Sequence, residues 1–144
     1  MRVRHAARHP GAHGFGGHRH AAADAHHGNF AALDEAGIDH AVAAGFAFKN
    51  ARDIEEQNAC LLDAATEAPG RVTALATLNP ALPGWQAGAQ AALDAGARGF
   101  GELRPHNQGW DPLGPESRAL CGLAGDAGAV LLWHVSEPVG HLYP

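Results

Sequence analysis

The feature that most constrains this chain is a repeated junction, in which an apolar helix-like stretch closes in glycine and runs at once into an apolar strand-like one. Leu33-Asp34-Glu35-Ala36-Gly37 leads into Ile38 to Phe48, Leu93-Asp94-Ala95-Gly96 into Ala97 to Leu103, and Asp126-Ala127-Gly128 into Ala129 to Val135. Ala68-Pro69-Gly70 does the same before Arg71 to Leu78. Glycine tolerates the left-handed backbone that ends a helix, so each junction reads as a helix terminus feeding a buried strand. Helix starts agree: Asn50 suits an N-cap with Asp53 at the third helical position, and Pro115 suits a first turn before Glu116.

The strand starts at Ile38, Arg71, Ala97 and Ala129 are 33, 26 and 32 residues apart, close to a βαβ unit of about 30 residues or more. Runs as apolar as Val130-Leu131-Leu132-Trp133 suit a parallel sheet covered on both faces. The expected fold class is α/β, built from about four consecutive βα units. Along the helices, Ile54, Leu61, Leu62 and Ala65, and Trp85, Ala89, Ala92 and Leu93, recur at helical spacing and read as core.

Composition agrees with a packed domain over most of the chain: 46% of residues are hydrophobic and 17% charged. The exception is residues 1–28, which hold seven of the eleven histidines (His5, His9, His13, His18, His20, His26 and His27) among Ala, Gly and Arg. Almost no large aliphatics occur there, so no buried strand is expected. The expected division is a disordered or aberrant segment over 1–28, of the kind a wrong start or frame produces, and a folded unit over 29–144.

The net charge of -5 gives no electrostatic reason for a nucleic-acid or anionic-membrane partner. No run approaches the roughly 18 apolar residues of a membrane span, and Met1-Arg2-Val3-Arg4-His5 precedes no apolar signal core. The expected location is therefore the cytoplasm. Cys60 and Cys121 lack C-x-x-C spacing and read as two reduced thiols.

In parallel βα architectures chemistry sits at the carboxyl ends of strands. After the third strand come Glu102, Arg104, His106, Asn107 and Gln108; after the fourth come His134, Ser136, Glu137 and His141. Consecutive strands of a right-handed βαβ unit lie side by side, so Glu102 and His134 are expected to converge on one rim. A carboxylate and an imidazole are suitable ligands for a divalent metal, whose bound water becomes a nucleophile near neutral pH. The plainer readings are a histidine packed in the core, a Glu102–Arg104 ion pair, and a His106 that only packs. Ser136 and Glu137 beside His134 suggest a hydrolase triad, but no G-x-S-x-G elbow accompanies them. Trp110 either lines a pocket or covers the rim.

The segment Gly99-Phe100-Gly101-Glu102-Leu103-Arg104-Pro105-His106-Asn107-Gln108-Gly109, together with Leu131-Leu132-Trp133-His134-Val135-Ser136-Glu137-Pro138-Val139-Gly140-His141 and Tyr143-Pro144, resembles the amidohydrolase-related family. The likeness runs from about Phe30 to Pro144 and takes in Asp34 to Asp39 and Gln57-Asn58. It implies a TIM-like barrel, here a partial (β/α)₈ barrel, since a complete one takes about 250 residues and this chain has 144.

It also implies a divalent metal, Zn²⁺ foremost, with His134 as the middle-strand ligand and Glu102 as ligand or neighbour. Arg104 and His106 become groups that orient a small carboxylate or amide substrate. The family's amino-terminal His-x-His pair has only His18-Arg19-His20 as a counterpart, matched in spacing but preceded by no buried strand. The family's later histidine and aspartate have no counterpart in the sequence.

Two functional readings follow. One is a metal-dependent hydrolase or decarboxylase lineage using metal-activated water, incomplete in the present chain. The other is a non-catalytic barrel fragment or a histidine-rich metal-binding protein. An open doubly wound domain is a third possibility, but no Gly-rich phosphate loop follows the first strand. An incomplete barrel would leave two parallel edges and an apolar helix-packing face exposed, so poor solubility or self-association is expected.

Overall fold

The computed structural model describes residues 30–134. The expected segment 1–28, with His18 and His20, lies outside the described residues, as do Ser136, Glu137 and His141. A helical stretch over 30–35 turns at Gly37 toward β1 (Ala41–Ala44). There follow α1 (Ala51–Glu67), β2 (Val72–Leu75), α2 (Trp85–Asp94), β3 (Gly99–Leu103), the one-turn α3 (Pro105–Gln108), α4 (Pro115–Ala127) and β4 (Val130–Trp133).

Local chemistry sets these boundaries. Oδ1 of Asn50 accepts from the Asp53 N–H at 2.9 Å, and its Nδ2 donates to Oδ2 of Asp53 at 2.7 Å, closing the start of α1. Pro115 occupies the first turn of α4. All four junction glycines, Gly37, Gly70, Gly96 and Gly128, adopt positive φ. At Gly128, with φ of 61°, the left-handed residue lets the Ala129 N–H reach back to the Ala124 carbonyl at 2.8 Å. The Gly128 N–H meets Gly125 O at 3.2 Å, so two orphan carbonyls of α4 are satisfied as its chain turns into β4.

The architecture is mixed α/β with short parallel strands in two pairs, β1 with β2 and β3 with β4. Backbone bonds join the pairs: Arg98 N–H to Ala74 O at 3.0 Å, Ala76 N–H to Gly99 O at 2.9 Å, and Gly101 N–H to Ala76 O at 3.0 Å. Spatial order therefore follows chain order.

The register sorts side chains into two faces. Ala74, Ala76 and Phe100 share the helix-covered face and are buried, and Leu131 and Trp133 pack there against the core of Leu78, Ala89, Ala92, Leu103, Trp110 and Leu120. The opposite face carries Val42 and Ala44 on β1, Thr73 and Leu75 on β2, Gly99 on β3, and Val130 and Leu132 on β4. Val42 is 62% exposed, Val130 57% and Leu132 42%. Ile54, Ala89 and Ala92 are buried and Leu61, Leu62, Ala65, Trp85 and Leu93 partly so, as helical spacing requires.

Close approach of β3 to β4 depends on glycine. A Cβ at Gly99 would lie 2.2 Å from the Val130 carbonyl oxygen, and one at Gly101 would lie 2.6 Å from Cβ of Leu132. The Val130 contact is with backbone, which cannot rotate aside. Gly99→Ala is expected to destabilise the fold by about 1–3 kcal/mol, read as a lower urea midpoint; an unchanged midpoint would show that the two strands separate at little cost.

Candidate functional site

Loops at the carboxyl ends of the strands are held by side-chain amides, two of them buried (Asn79 and Gln108) and two half-buried (Gln57 and Asn58). Gln57 on α1 donates to Phe46 O at 3.0 Å and Thr77 Oγ1 at 2.6 Å, and accepts from Phe46 N–H at 2.7 Å. A side chain at Gly45 would occupy the space of that amide, with a Cβ only 2.0 Å from it. Asn58 brackets the Thr77 backbone, donating to its carbonyl at 2.8 Å and accepting from its N–H at 2.7 Å. Asn79 donates to Lys49 O and Gln108 O and accepts from the Ala81 N–H.

Gln108 is the centre of this set. Its Nε2 donates to Leu78 O at 2.8 Å and Phe48 O at 3.2 Å, while Oε1 accepts from the Arg104 N–H at 3.0 Å and the Trp110 indole at 3.3 Å. One amide at 4% exposure thus connects the segments that follow β1, β2 and β3. Buried polar groups are tolerated when paired and costly when one partner is removed.

On this rim the structure brings Glu102 and His134 together. The β3–β4 register shifts between Phe100 and Leu103, so that Gly101 and Glu102 together oppose Leu132. A bulge of this kind re-aims a side chain. Here Oε1 of Glu102 meets Nδ1 of His134, whose own N–H donates to Leu103 O at 2.9 Å. Both side chains remain about one-third exposed, at 35% and 31%. An ionised carboxylate only accepts, so Nδ1 of His134 is the donor in this contact. Among the described residues Nε2 has no recorded partner.

The other candidates stand apart from this pair. Glu102 pairs with His134 rather than with Arg104, whose side chain is half-buried. His106 is exposed on α3. Trp110 is buried against Trp133, with ring centroids 5.6 Å apart, and covers the rim. Among the described residues no three His, Cys, Asp or Glu side chains converge as a metal-binding group.

His40 shows the purely structural use of a histidine: Nδ1 lies 2.9 Å from Gly70 O and Nε2 3.0 Å from Thr73 Oγ1, engaging both ring nitrogens. A cleft of about 410 Å³ between α1 and α2 is lined by Ile54, Leu62, Leu78, Leu82 and Trp85. Its Asn58 amide is committed to the Thr77 backbone, so the cleft is an apolar seam between helices.

Comparison with protein-family models, with curated proteins and with solved structures finds no match to this chain. The sequence reading missed Gln108, Asn79, Gln57 and Asn58 as the groups that position the rim. Their one signal is an amide set beside large apolar residues, as in Leu78-Asn79-Pro80 and Gln108-Gly109-Trp110. Gln108→Met preserves shape but leaves two carbonyls, the Arg104 N–H and the Trp110 indole without that partner. A loss of more than about 2 kcal/mol is expected, measured by urea unfolding; a smaller loss would mean that water replaces the amide.

Burial, followed by the Asp63 and Glu67 carboxylates, pushes the exposed Cys60 thiol up from its ordinary range. Less thiolate at a given pH means slower alkylation. Peptide-resolved iodoacetamide labelling at pH 8 should therefore run slower at Cys60 than at a free cysteine, and faster in Asp63→Asn; equal rates in the two proteins would rule out the carboxylate's part.

Proposed function

We propose that the chain carries part of a (β/α) barrel of the metal-dependent amidohydrolase type, acting on a small carboxylate or amide. The observation that carries this reading is the Glu102–His134 pair at the carboxyl ends of adjacent parallel strands, where barrel enzymes place their chemistry. Sequential parallel strands with helices on one face support the barrel reading.

The donor chemistry fits a metal held through His134. A metal-binding histidine commonly donates its second ring N–H to a carboxylate, which fixes the tautomer and raises ligand basicity. Glu102 meets His134 in that way, so we assign Nε2 of His134 as the ligand atom and Glu102 as the residue that orients it. When bound, the ion would lower the pKa of a water and polarise the substrate. Arg104 provides a fork suited to a substrate carboxylate, and His106 lies on the adjacent turn.

The competing reading, a histidine-rich segment that binds metal independently of the barrel, makes a different prediction. Zn²⁺ titration by calorimetry should give binding that His134→Ala abolishes and Glu102→Gln weakens by about 10–100-fold, with circular dichroism showing that both variants are folded. Equal binding in the parent and His134→Ala would assign the metal to residues 1–28 and sink the barrel-site reading.

A further inference from the structure

Glu102 has a backbone anchor of its own. Its N–H donates to Gly45 O at 3.1 Å, while the preceding Gly101 N–H donates to Ala76 O at 3.0 Å. Strand N–H groups ordinarily alternate between neighbours, so two successive donors turned away from β4 belong to the same register shift that sets Glu102 against His134. Gly45 follows β1 directly. Its carbonyl therefore ties the end of β1 to the residue that meets the imidazole.

That end of β1 is in turn fixed by one side chain. Gln57 donates to Phe46 O and accepts from Phe46 N–H, closing a ring on the residue next to Gly45. Its other amide proton goes to Oγ1 of the buried Thr77, which ties the same amide to the core. The Phe46 side chain is 74% exposed, so burial contributes little to holding this segment. The three atoms nearest a Cβ built on Gly45 all belong to the Gln57 amide and would overlap it. Gly45 is not among the glycines of positive φ, so glycine at this position serves the close approach of that amide rather than a turn.

We propose that Gln57 is a positioning residue for the rim pair: by clamping Gly45 and Phe46 it sets the Glu102 backbone, and through it the contact of Glu102 with Nδ1 of His134. Gln57 makes no hydrogen bond to either of these side chains among the described residues, and acts through the Gly45 carbonyl. Two amides thus divide the rim, Gln108 holding the Arg104 N–H and Gln57 holding Glu102. A neutral imidazole has two tautomers, and a carboxylate at Nδ1 selects the one whose lone pair is at Nε2. Control of that choice lies on α1, outside the two strands that carry the pair. The inference rests on the reading of Glu102 and His134 as the site, and it concerns how the histidine is held before any metal arrives.

The test is the tautomer of neutral His134 in the metal-free 144-residue chain. It is read by long-range proton–nitrogen correlation on isotope-labelled histidine, above the ordinary histidine titration range, and the His134 signal is identified by its loss in His134→Ala. The parent should hold the Nδ1–H form. Gln57→Leu should lower the ratio of Nδ1–H to Nε2–H about fivefold, the equilibrium worth of one hydrogen bond, with unchanged circular dichroism. Gly45→Ala should do the same, because it displaces the amide yet removes no hydrogen-bonding group. Glu102→Ala should lower the ratio further, and Gln57→Leu added to it should change nothing more. A parent without the Nδ1–H preference, an unchanged ratio in both Gln57→Leu and Gly45→Ala, or a Gln57 effect that persists without Glu102 would overturn the proposal. Should Gln57→Leu fail to fold, Gly45→Ala carries the same comparison, alone and with Glu102→Ala. Zn²⁺ titration of the same proteins keeps the two readings apart. A shifted tautomer with no His134-dependent Zn²⁺ binding would sink the metal site and leave the role of Gln57 standing, whereas His134-dependent binding with an unmoved tautomer would sink this inference alone.

Discussion

The rim of this protein depends on one buried amide. The strands are only four or five residues long, and a short parallel ladder fixes the loops beyond it weakly. Gln108 compensates by accepting from two donors and donating to two carbonyls, drawn from segments up to 60 residues apart in the chain. Its four bonds use the hydrogen-bonding capacity of the amide fully. Gln57, Asn58 and Asn79 extend the same principle to the segments after β1 and β2.

The second constraint is the fit of β3 against β4. Gly99 and Gly101 remove the side chains that would keep the strands apart, and the register shift places both Gly101 and Glu102 opposite Leu132. Glu102 is consequently delivered to His134 by backbone geometry, while Leu103 returns to the buried face. The pair is partly exposed and the ring keeps one nitrogen uncommitted among the described residues. His40 at the other end of the sheet has both nitrogens engaged. That difference makes His134 the candidate for chemistry and His40 a structural residue.

The helix-covered face and the open face have opposite energetic characters. Phe100, Leu103 and Leu120 are fully enclosed and supply much of the hydrophobic stabilisation. Val42, Val130 and Leu132 on the opposite face remain substantially exposed among the described residues. Glu102 and His134 stand at the carboxyl ends of β3 and β4, beyond the exposed Val130 and Leu132 of β4.

Much of this fold was legible in the sequence because its signals are local. The four helix-ending glycines, the Asn50 cap, the Pro115 start and the order of the parallel strands follow from backbone preference and hydrophobic period, which neighbouring residues set. Convergence of Glu102 and His134 was legible for the related reason that consecutive parallel strands end on one rim. Tertiary structure alone decided the rest. Whether Glu102 meets Arg104 or His134 depends on a one-residue register shift, and whether Gln108 is loop or linchpin depends on carbonyls 30 and 60 residues away. Such choices belong to long-range packing, where the partners of a polar group become known only once the chain has folded around it.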